Sequence, residues 1–457
     1  MLLHTQEMTD NRNENISIWE AKNRLDYNEP LRPDDELSQG LFVDTSEARG
    51  DFSIKRLHRE LNVDNQGIAH TASATPQKQY ILFTGHRGCG KSTELLRTAT
   101  YLHHPDRYYV IHLDCLEKLD INNLKYSDVL LALAAALLKK LEQEEGITID
   151  QIFLTSLENW FKERVEAHTS LRDFATEVKA GVKVQTGLPR LSKLFGELTN
   201  KINIASTYRE ELRLVVRNNF TEFTEAFNQL IQDGEEKIRV AGKGKRILFT
   251  VDGTDRLDQE DAPKFFIENV HQLTQINGLF IYCAPIHLLH QVNTINAIFS
   301  QPFRLPMLKV RDRDGEELPE NIAVMRELAL RRVPEQLFDE PDTVDYLVRY
   351  SGGHPRDLLR LLKVAINYSE EERIDRAAAE KAVKQVANEY RRFISNSDYT
   401  RLVQIDLHPD APDDFTDKQS NELLYNLTLL EYSDYFWKSH PLITSLPGYE
   451  KALQITR

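Results

Sequence analysis

The 457-residue sequence predicts an α/β fold in which a parallel β-sheet is covered by helices on both faces. Helical patterns separate four short apolar runs, and this alternation is typical of strands joined by crossover helices. A weaker fifth strand is expected over 303–310, where Pro306 favours an edge position or a bulge. The four apolar runs, each bounded by polar or turn residues as buried strands are, cover 80–84, 108–113, 247–251 and 279–284.

The composition limits the partners that the chain can have. Its formal net charge of −14 disfavours non-specific DNA binding and docking on an anionic membrane, although a total charge leaves room for a local basic patch. No apolar run reaches the roughly 18–20 residues that cross a bilayer, and the start lacks the pattern of a signal peptide. The 3 cysteines have no metal-site spacing. We therefore expect a cytoplasmic protein without a membrane partner.

The order of patterns along the chain predicts several domains. Loops are expected over 70–79 and in the linker "LHPDAPDDF" (407–415), and a short strand within 41–52 is expected to lead into a helix near 54–61. Inside the insertion we expect helices over 125–146 and over 206–234, the second ending at a glycine. The predicted domains are a polar N-terminal arm (1–45), a core (46–314) with a helical insertion (about 116–240), a helical lid (315–396) and a small C-terminal domain (397–457).

The stretch "GHRGCGKS" places Gly85, Gly90, Lys91 and Ser92 in the pattern G-x-x-x-x-G-K-[ST] between a predicted strand and a predicted helix. Glycine lets backbone N–H groups wrap closely around phosphate oxygens, and the N-terminus of the next helix also favours an anion. In this pattern the lysine reaches the β- and γ-phosphates and the serine hydroxyl coordinates Mg²⁺. The predicted ATP-binding residues in this loop are Gly85, Gly88, Cys89, Gly90, Lys91, Ser92 and Thr93.

Two alternatives stay open at this loop. A glycine-rich turn can match the pattern by chance, although rarely between a strand and a helix. Cys89 reads as a small spacer, and a redox role is the less favoured interpretation.

A second candidate motif, "VDGTD", follows the run 247–251. Asp252 at the end of this strand is the predicted carboxylate for Mg²⁺, held together with Ser92. Asp255 is the predicted catalytic residue that orients the attacking water, together with Lys91 on the phosphates. The alternative is a plain strand-to-helix turn in which Asp255 is only an N-cap.

The sequence "VDGTD" resembles the D-G-x-D form of STAND NTPases, notably their NACHT branch, which are related to the AAA+ and Orc/Cdc6 proteins. "YSGGHPRDLLRLL" (350–362) resembles the G-x-P motif in the helical lid of that class. Gly353 and Pro355 match this motif, and the resemblance implies that Pro355 packs near the adenine and that Arg356 reaches the γ-phosphate. The alternative is a helix–turn–helix that makes no contact with a nucleotide. The chain departs from the family at "YCAP" (282–285), where a sensor arginine is common.

The segment 421–443 has the helix-then-strand order of a winged helix, which commonly follows this ATPase core. It forms no basic recognition helix, so a packing or protein-contact role is favoured over DNA reading. His440 and Trp437 are expected to be packing residues.

The predicted fold class is therefore an α/β P-loop NTPase core with a helical insertion, a helical lid domain and a small C-terminal winged-helix-like domain. The resemblance implies a Mg²⁺-dependent ATPase that acts as a signal-type switch on a separate effector or sensor protein, forms a homo-oligomer on ATP binding and serves prokaryotic antiphage defence. The alternative is an Orc/Cdc6- or transposition-regulator-like ATPase acting on DNA, so a nucleic-acid partner is open but not favoured. A scaffold that binds nucleotide without turnover is disfavoured by the complete set of Lys91, Ser92 and Asp252.

Overall fold

A five-stranded β-sheet is the central element of the protein in a computed structural model. The structure describes residues 16–457 apart from 51, 72–77, 145, 168–170, 182–186, 205, 301, 410–415 and 434–435. The sheet has the order β2-β3-β4-β1-β5. Its strands are β1 (Gln79–Gly85), β2 (Tyr108–Asp114), β3 (Arg246–Asp252), β4 (Leu279–Pro285) and β5 (Phe303–Leu305).

The helices account for most of the remaining described chain. Before and within the sheet region they are α1 (Ile18–Asn23), α2 (Glu36–Leu41), α3 (Ile54–Glu60), α4 (Lys91–Leu102), α5 (Cys115–Lys118), α6 (Tyr126–Gln143), α7 (Gln151–Trp160), α8 (Arg172–Gly181), α9 (Leu188–Ile204), α10 (Ser206–Asn218), α11 (Phe220–Val240), α12 (Asp261–Pro263), α13 (Val270–Leu273) and α14 (Val292–Asn296). After β5 they are α15 (Pro319–Leu330), α16 (Pro341–Ser351), α17 (Pro355–Tyr368), α18 (Arg376–Tyr390), α19 (Asn396–Leu407), α20 (Lys418–Tyr425), α21 (Pro441–Thr444) and α22 (Pro447–Thr456). None of the helices in the described chain is long and apolar enough to span a membrane.

The fold-class prediction is confirmed: the strands are parallel and alternate with helices, and no strand occurs among the described residues between β2 and β3. All four main strands form where their apolar runs predict them. The fifth strand is shorter than predicted, because it ends at Leu305, directly before Pro306, whose missing N–H cannot continue a ladder.

The chain forms two compact units. We call Lys55–Phe83 with Arg97–Phe303 the sheet unit, and Met1–Ile54 with Thr84–Leu96 and Arg304–Arg457 the lid unit. The two divide the chain differently from the predicted domain ranges, which remain a prediction.

In the sheet unit, aromatic side chains from neighbouring strands stack in the core. The Phe280 ring lies 4.9 Å from that of Tyr80 and 4.8 Å from that of Phe249, both nearly parallel. Helix α6 buries most of its length against this core, as its alanine- and leucine-rich sequence predicts. This helix of the predicted insertion therefore forms part of the hydrophobic core of the sheet unit.

The predicted helix over 206–234 is wrong at two points. It divides at Asn219 into α10 and α11, and α11 continues through Gly234 as far as Val240. Gly234 is buried, and a Cβ there would lie 3.4 Å from Cδ1 of Ile247. This glycine thus permits close packing of α11 on β3 instead of ending the helix.

The lid unit is mainly helical. As predicted, α16 ends at a glycine in the left-handed conformation, Gly352 with φ +61°, and α17 begins with Pro355 in its first turn. Near the C-terminus, α20 is followed by an antiparallel pair of strands, β6 (Leu429–Glu431) and β7 (Trp437–Ser439), in the predicted helix-then-strand order.

Three local predictions remain to be compared. The described residues of 41–52 contain a 3₁₀ turn (Glu47–Arg49) but no strand, so the strand predicted there is wrong. The side chain of Arg49 in that turn is buried and donates hydrogen bonds, which fixes a compact turn in place of an extended run. The loops predicted over 70–79 and 407–415 lie largely outside the described residues.

Candidate functional site

The segment 85–92, here called the phosphate loop, joins the end of β1 to the start of α4, as predicted. Gly88 and Gly90 have φ of +88° and +106°, values that other residues rarely adopt. A Cβ at Gly88 would lie 2.8 Å from Nε2 of His354 and 2.8 Å from Cβ of Arg356. At Gly90 the nearest atom would be Nη2 of Arg49, at 3.6 Å. Gly88 is therefore required by contact and conformation, and Gly90 by conformation alone.

Lys91 is the first residue of α4 and is only 3% exposed. Its Nζ donates to the carbonyl oxygens of Gly85 and His86, at 2.9 and 2.8 Å. The ammonium group thus lies within the loop that precedes its own helix. Ser92 is half-buried beside it, and Oγ1 of Thr93 accepts a hydrogen bond from the backbone N–H of Leu31 at 3.2 Å.

Arg49 is a component of the site that no sequence pattern predicts. Its side chain is 3% exposed and donates to Cys89 O at 2.7 Å, to Thr45 Oγ1 at 3.0 Å and to Pro306 O. Burial lowers the pKa of this guanidinium, although the charges of Glu94 and Asp44 oppose the effect. The Cys89 side chain is itself fully buried, which favours the spacer interpretation.

The lid motif lies directly on the phosphate loop. Nε2 of His354 is 2.9 Å from the carbonyl oxygen of Arg87, and the two side chains nearest to Gly88 are those of His354 and Arg356. Gly353, with φ +75°, allows a close approach, since a Cβ there would lie 1.9 Å from Leu308 O. The G-x-P motif that the resemblance identified therefore contacts the phosphate loop.

Arg356 has an anchor that the resemblance did not imply. Its Nε donates to the carbonyl oxygen of Tyr27 at 3.2 Å, so part of the guanidinium is held by the N-terminal segment. Pro355 is half-buried at the start of α17. Their contacts with adenine and γ-phosphate remain predictions.

The C-terminal strand pair also contacts the phosphate loop. Nε2 of His86 accepts a hydrogen bond of 2.7 Å from the backbone N–H of Glu431 in β6. Burial lowers the pKa of His86 well below its usual value, and the charges of His354 and Lys91 add to this. Glu431 forms a salt bridge with Arg304, but burial raises its pKa despite that partner. The variable positions of the loop motif thus serve as contacts.

The predicted carboxylates lie in the sheet unit. Asp252 is the last residue of β3, is 3% exposed and accepts a hydrogen bond of 2.7 Å from the N–H of Gly253. Gly253, with φ +83°, is the N-cap of the 3₁₀ turn Thr254–Arg256. Asp255 is half-buried within this turn and does not occupy its N-cap, contrary to the capping alternative.

A further carboxylate accompanies them at the end of the neighbouring strand. Asp114 in β2 is the register partner of Asp252, and its Oδ1 caps α5 by accepting from Leu116 N at 2.8 Å. Burial raises the pKa of Cys115 well above its usual value, and the charges of Asp114, Asp252 and Asp255 contribute. These carboxylates make the ends of β2 and β3 negative, which suits a cation. A shared magnesium site with Ser92 remains a prediction.

The residues of the phosphate loop fit a polyphosphate by the chemistry of their donors. They supply an ammonium group, a serine hydroxyl and the first-turn N–H groups of α4, which have no partner inside their own helix. At Gly90 only one guanidinium nitrogen lies within 4 Å of the position that a Cβ would take. A nucleotide phosphate with Mg²⁺ is therefore a chemically suitable ligand.

Comparisons with known proteins give only distant likenesses. No protein-family model matches the chain, and no curated protein matches it. The Walker-type ATPase PABY2304 of Pyrococcus abyssi is 14% identical, with a TM-score of 0.37, over 94% of this chain and 99% of the other. Cdc6p from Pyrobaculum aerophilum is 10% identical, with a TM-score of 0.34, over 91% and 99% of the two chains.

A third solved structure, the Aeropyrum pernix Orc1 protein in complex with DNA, is 10% identical with a TM-score of 0.33, over 91% of this chain and 93% of the other. At such TM-scores the likenesses leave the function to be argued from the site itself.

Proposed function

We propose that this protein binds and hydrolyses ATP with Mg²⁺ and acts as a switch that controls a separate partner protein. The observation that carries the proposal is that the phosphate loop is contacted by the lid and by the C-terminal strand pair. His354 reaches the loop at the carbonyl of Arg87, and Glu431 reaches it at His86. A ligand that alters this loop would change both contacts, which is what a nucleotide switch requires.

Each candidate residue has a defined part in the proposed reaction. Lys91 and the first-turn N–H groups of α4 would hold the phosphates, while Ser92 and Asp252 would hold Mg²⁺. Asp255 would orient the attacking water. Bound Mg²⁺ would neutralise phosphate charge.

The resemblance to STAND NTPases supports a switch over a motor, and it extends the proposal to a homo-oligomer on ATP binding and to antiphage defence. The effector in this proposal is a separate protein.

Action on DNA is the second candidate, and the helix-then-strand order of the C-terminal segment favours it. Two observations weigh against it. All three residues of β6 are buried, and Trp437 in β7 is only 9% exposed, so this strand pair packs within the lid unit. The net charge of −14 also opposes the release of phosphate counterions on which DNA affinity depends.

Fluorescence anisotropy on labelled duplex and single-stranded DNA, with an ATP analogue present, separates the two candidates. The switch proposal expects no sub-micromolar binding at about 150 mM salt, where non-specific affinities are typically about 10⁻⁴–10⁻⁶ M. Tighter binding would reverse the ranking.

The substitution Lys91→Ala tests nucleotide binding itself. Loss of a charge-assisted contact to phosphate should weaken ATP affinity by about 1.5–3 kcal/mol, which is roughly tenfold or more. Lys118→Ala is the matched control, because Lys118 is exposed and forms a salt bridge with its neighbour Glu117. Isothermal titration at fixed Mg²⁺, with melting curves to confirm folding, gives the answer. An unchanged affinity in folded Lys91→Ala would refute the assignment.

A further inference from the structure

The buried groups His354, Asp357 and His440 form a cluster in the lid unit that the proposed phosphate chemistry does not use. Their side chains are 0%, 3% and 0% exposed. Three polar atoms surround one oxygen, Oδ2 of Asp357: Nδ1 of His354 at 3.0 Å, Nε2 of His440 at 3.0 Å and the hydroxyl of Tyr390 at 2.7 Å. We call these four residues the Asp357 network.

The hydrogen bonds fix the protons of both imidazoles. His440 Nδ1 accepts from the N–H of Leu442 at 3.2 Å, so its Nε2 carries the proton and donates to Asp357. His354 Nε2 faces the carbonyl of Arg87, which can only accept, so that nitrogen also carries a proton. Nδ1 of His354 lies 3.0 Å from Oδ2 of Asp357 but does not meet the geometry of a hydrogen bond. The proton on Nε2 is therefore the one that the hydrogen bonds of His354 determine.

Two donors satisfy the buried carboxylate of Asp357: the hydroxyl of Tyr390 and Nε2 of His440. Burial opposes ionisation of Asp357, yet the neighbouring His354 and His440 outweigh it and hold the pKa of this carboxyl well below its usual value. Arg360 lies farther off, with Nη1 3.8 Å from the other carboxylate oxygen.

A metal ion is the rival explanation, because two histidines and an aspartate within 4.8 Å of one another are suitable ligands. Coordination by His440 Nε2 needs a lone pair on that nitrogen. The Leu442 N–H assigns the lone pair to Nδ1 instead. The hydrogen-bond pattern thus favours a hydrogen-bonded network over a metal site.

The network connects three parts of the lid unit. His354 and Asp357 belong to the start of α17, Tyr390 is the last residue of α18 and His440 is the N-cap of α21. The network reaches the phosphate loop through the hydrogen bond from His354 to the carbonyl oxygen of Arg87, beside Gly88.

We propose that the Asp357 network is a positioning device through which the C-terminal segment holds the phosphate loop in its binding conformation. This inference deepens the proposed function and rests on it only where nucleotide affinity is concerned. His354 contacts the loop at a backbone carbonyl, and none of the four residues is a proposed phosphate ligand. Loss of a network residue should therefore weaken ATP and ADP binding to the same extent.

The first measurement uses the full chain without nucleotide. Imidazole ¹⁵N NMR, assigned with His354→Gln and His440→Gln, should show a proton on Nε2 of both imidazoles, as their hydrogen bonds require. A proton-free Nε2 on either ring, or about one equivalent of tightly bound metal by elemental analysis, would overturn the proposal.

The second measurement compares Tyr390→Phe and Asp357→Asn with Tyr449→Phe. The control also removes a tyrosine–carboxylate hydrogen bond in the lid unit, from Tyr449 to Asp406 Oδ2 at 2.5 Å, but has no hydrogen bond to the loop. Hydrogen exchange in the loop should accelerate in the two network variants and not in the control. ATP and ADP affinities should fall by about three- to tenfold, the loss expected for one hydrogen bond.

Unchanged loop exchange in folded Tyr390→Phe would refute the proposal, even if Asp357→Asn fails to fold. Failure of the proposed function would look different. In that case Lys91→Ala would leave ATP affinity unchanged, whereas the NMR and exchange results on the unliganded protein would still stand.

Discussion

Replacing Gly88 with alanine tests the contact between the lid and the phosphate loop most directly. The new Cβ would lie 2.8 Å from both His354 Nε2 and Arg356 Cβ, distances that real Cβ atoms essentially never show. Gly90→Ala is the matched control, because its positive φ is as unfavourable but the nearest atom is 3.6 Å away.

The magnitude follows from two terms. A non-glycine residue at such φ costs about 1–3 kcal/mol, and both variants incur this strain. Only Gly88→Ala adds the crowding against His354 and Arg356, which costs about 1–3 kcal/mol in a packed site. The melting temperature of Gly88→Ala should therefore be lower than that of Gly90→Ala by about 2–12 °C, taking about 2–4 °C per kcal/mol for a domain of this size.

The assay is thermal unfolding of the nucleotide-free protein, because phosphate binding would obscure the control. His354→Ala removes one of the crowding atoms, so the cost of Gly88→Ala should shrink in that background but not vanish, as Arg356 Cβ remains. Equal melting temperatures of Gly88→Ala and Gly90→Ala would refute the contact.

Three further predictions concern the carboxylates, the buried histidines and the buried arginine. Asp252→Ala should weaken both Mg·ATP binding and turnover, whereas Asp255→Asn should slow turnover and leave affinity nearly intact; wild-type turnover in Asp255→Asn would contradict its catalytic role. Burial lowers the pKa of His86 and that of His440, so the stability they contribute is fully present above about pH 6.5 and falls as the pH decreases towards the lowered values. The free energy of unfolding should therefore rise between pH 5 and 7, by up to about 1.4 kcal/mol per pH unit per histidine, and His86→Gln should reduce the slope; an unchanged slope would contradict a neutral buried His86. Arg49→Met should leave the carbonyl of Cys89 without its donor and destabilise the protein by about 1–3 kcal/mol in denaturant unfolding, whereas a loss below about 0.5 kcal/mol would show that the buried guanidinium is not needed.

Local sequence patterns were sufficient for the elements whose structure depends on near neighbours. The apolar runs of β1 to β4, the turn from Gly85 to Lys91, and the glycine and proline that end α16 and begin α17 all lie where the sequence predicts them. Each depends on backbone preferences within a few residues, and the residue types themselves determine such preferences.

Patterns failed where packing decides. A glycine inside a helical pattern reads as a stop, but at Gly234 the neighbouring strand needs space and the helix continues. The short fifth strand is a different case. It ends at Leu305 because the next residue, Pro306, has no N–H to donate to a neighbouring strand.

The sequence alone determined the phosphate-loop motif, the lid motif and the carboxylates at the end of β3, because their chemistry is set by residue type and spacing. Only the tertiary structure decided that Arg49 and His354 donate to carbonyls of the phosphate loop, and that His86 in that loop accepts from β6. These pairs are separated by 40, 267 and 345 residues. A hydrogen bond between residues so far apart depends on how the whole chain packs, and nothing in the local sequence around either partner records it.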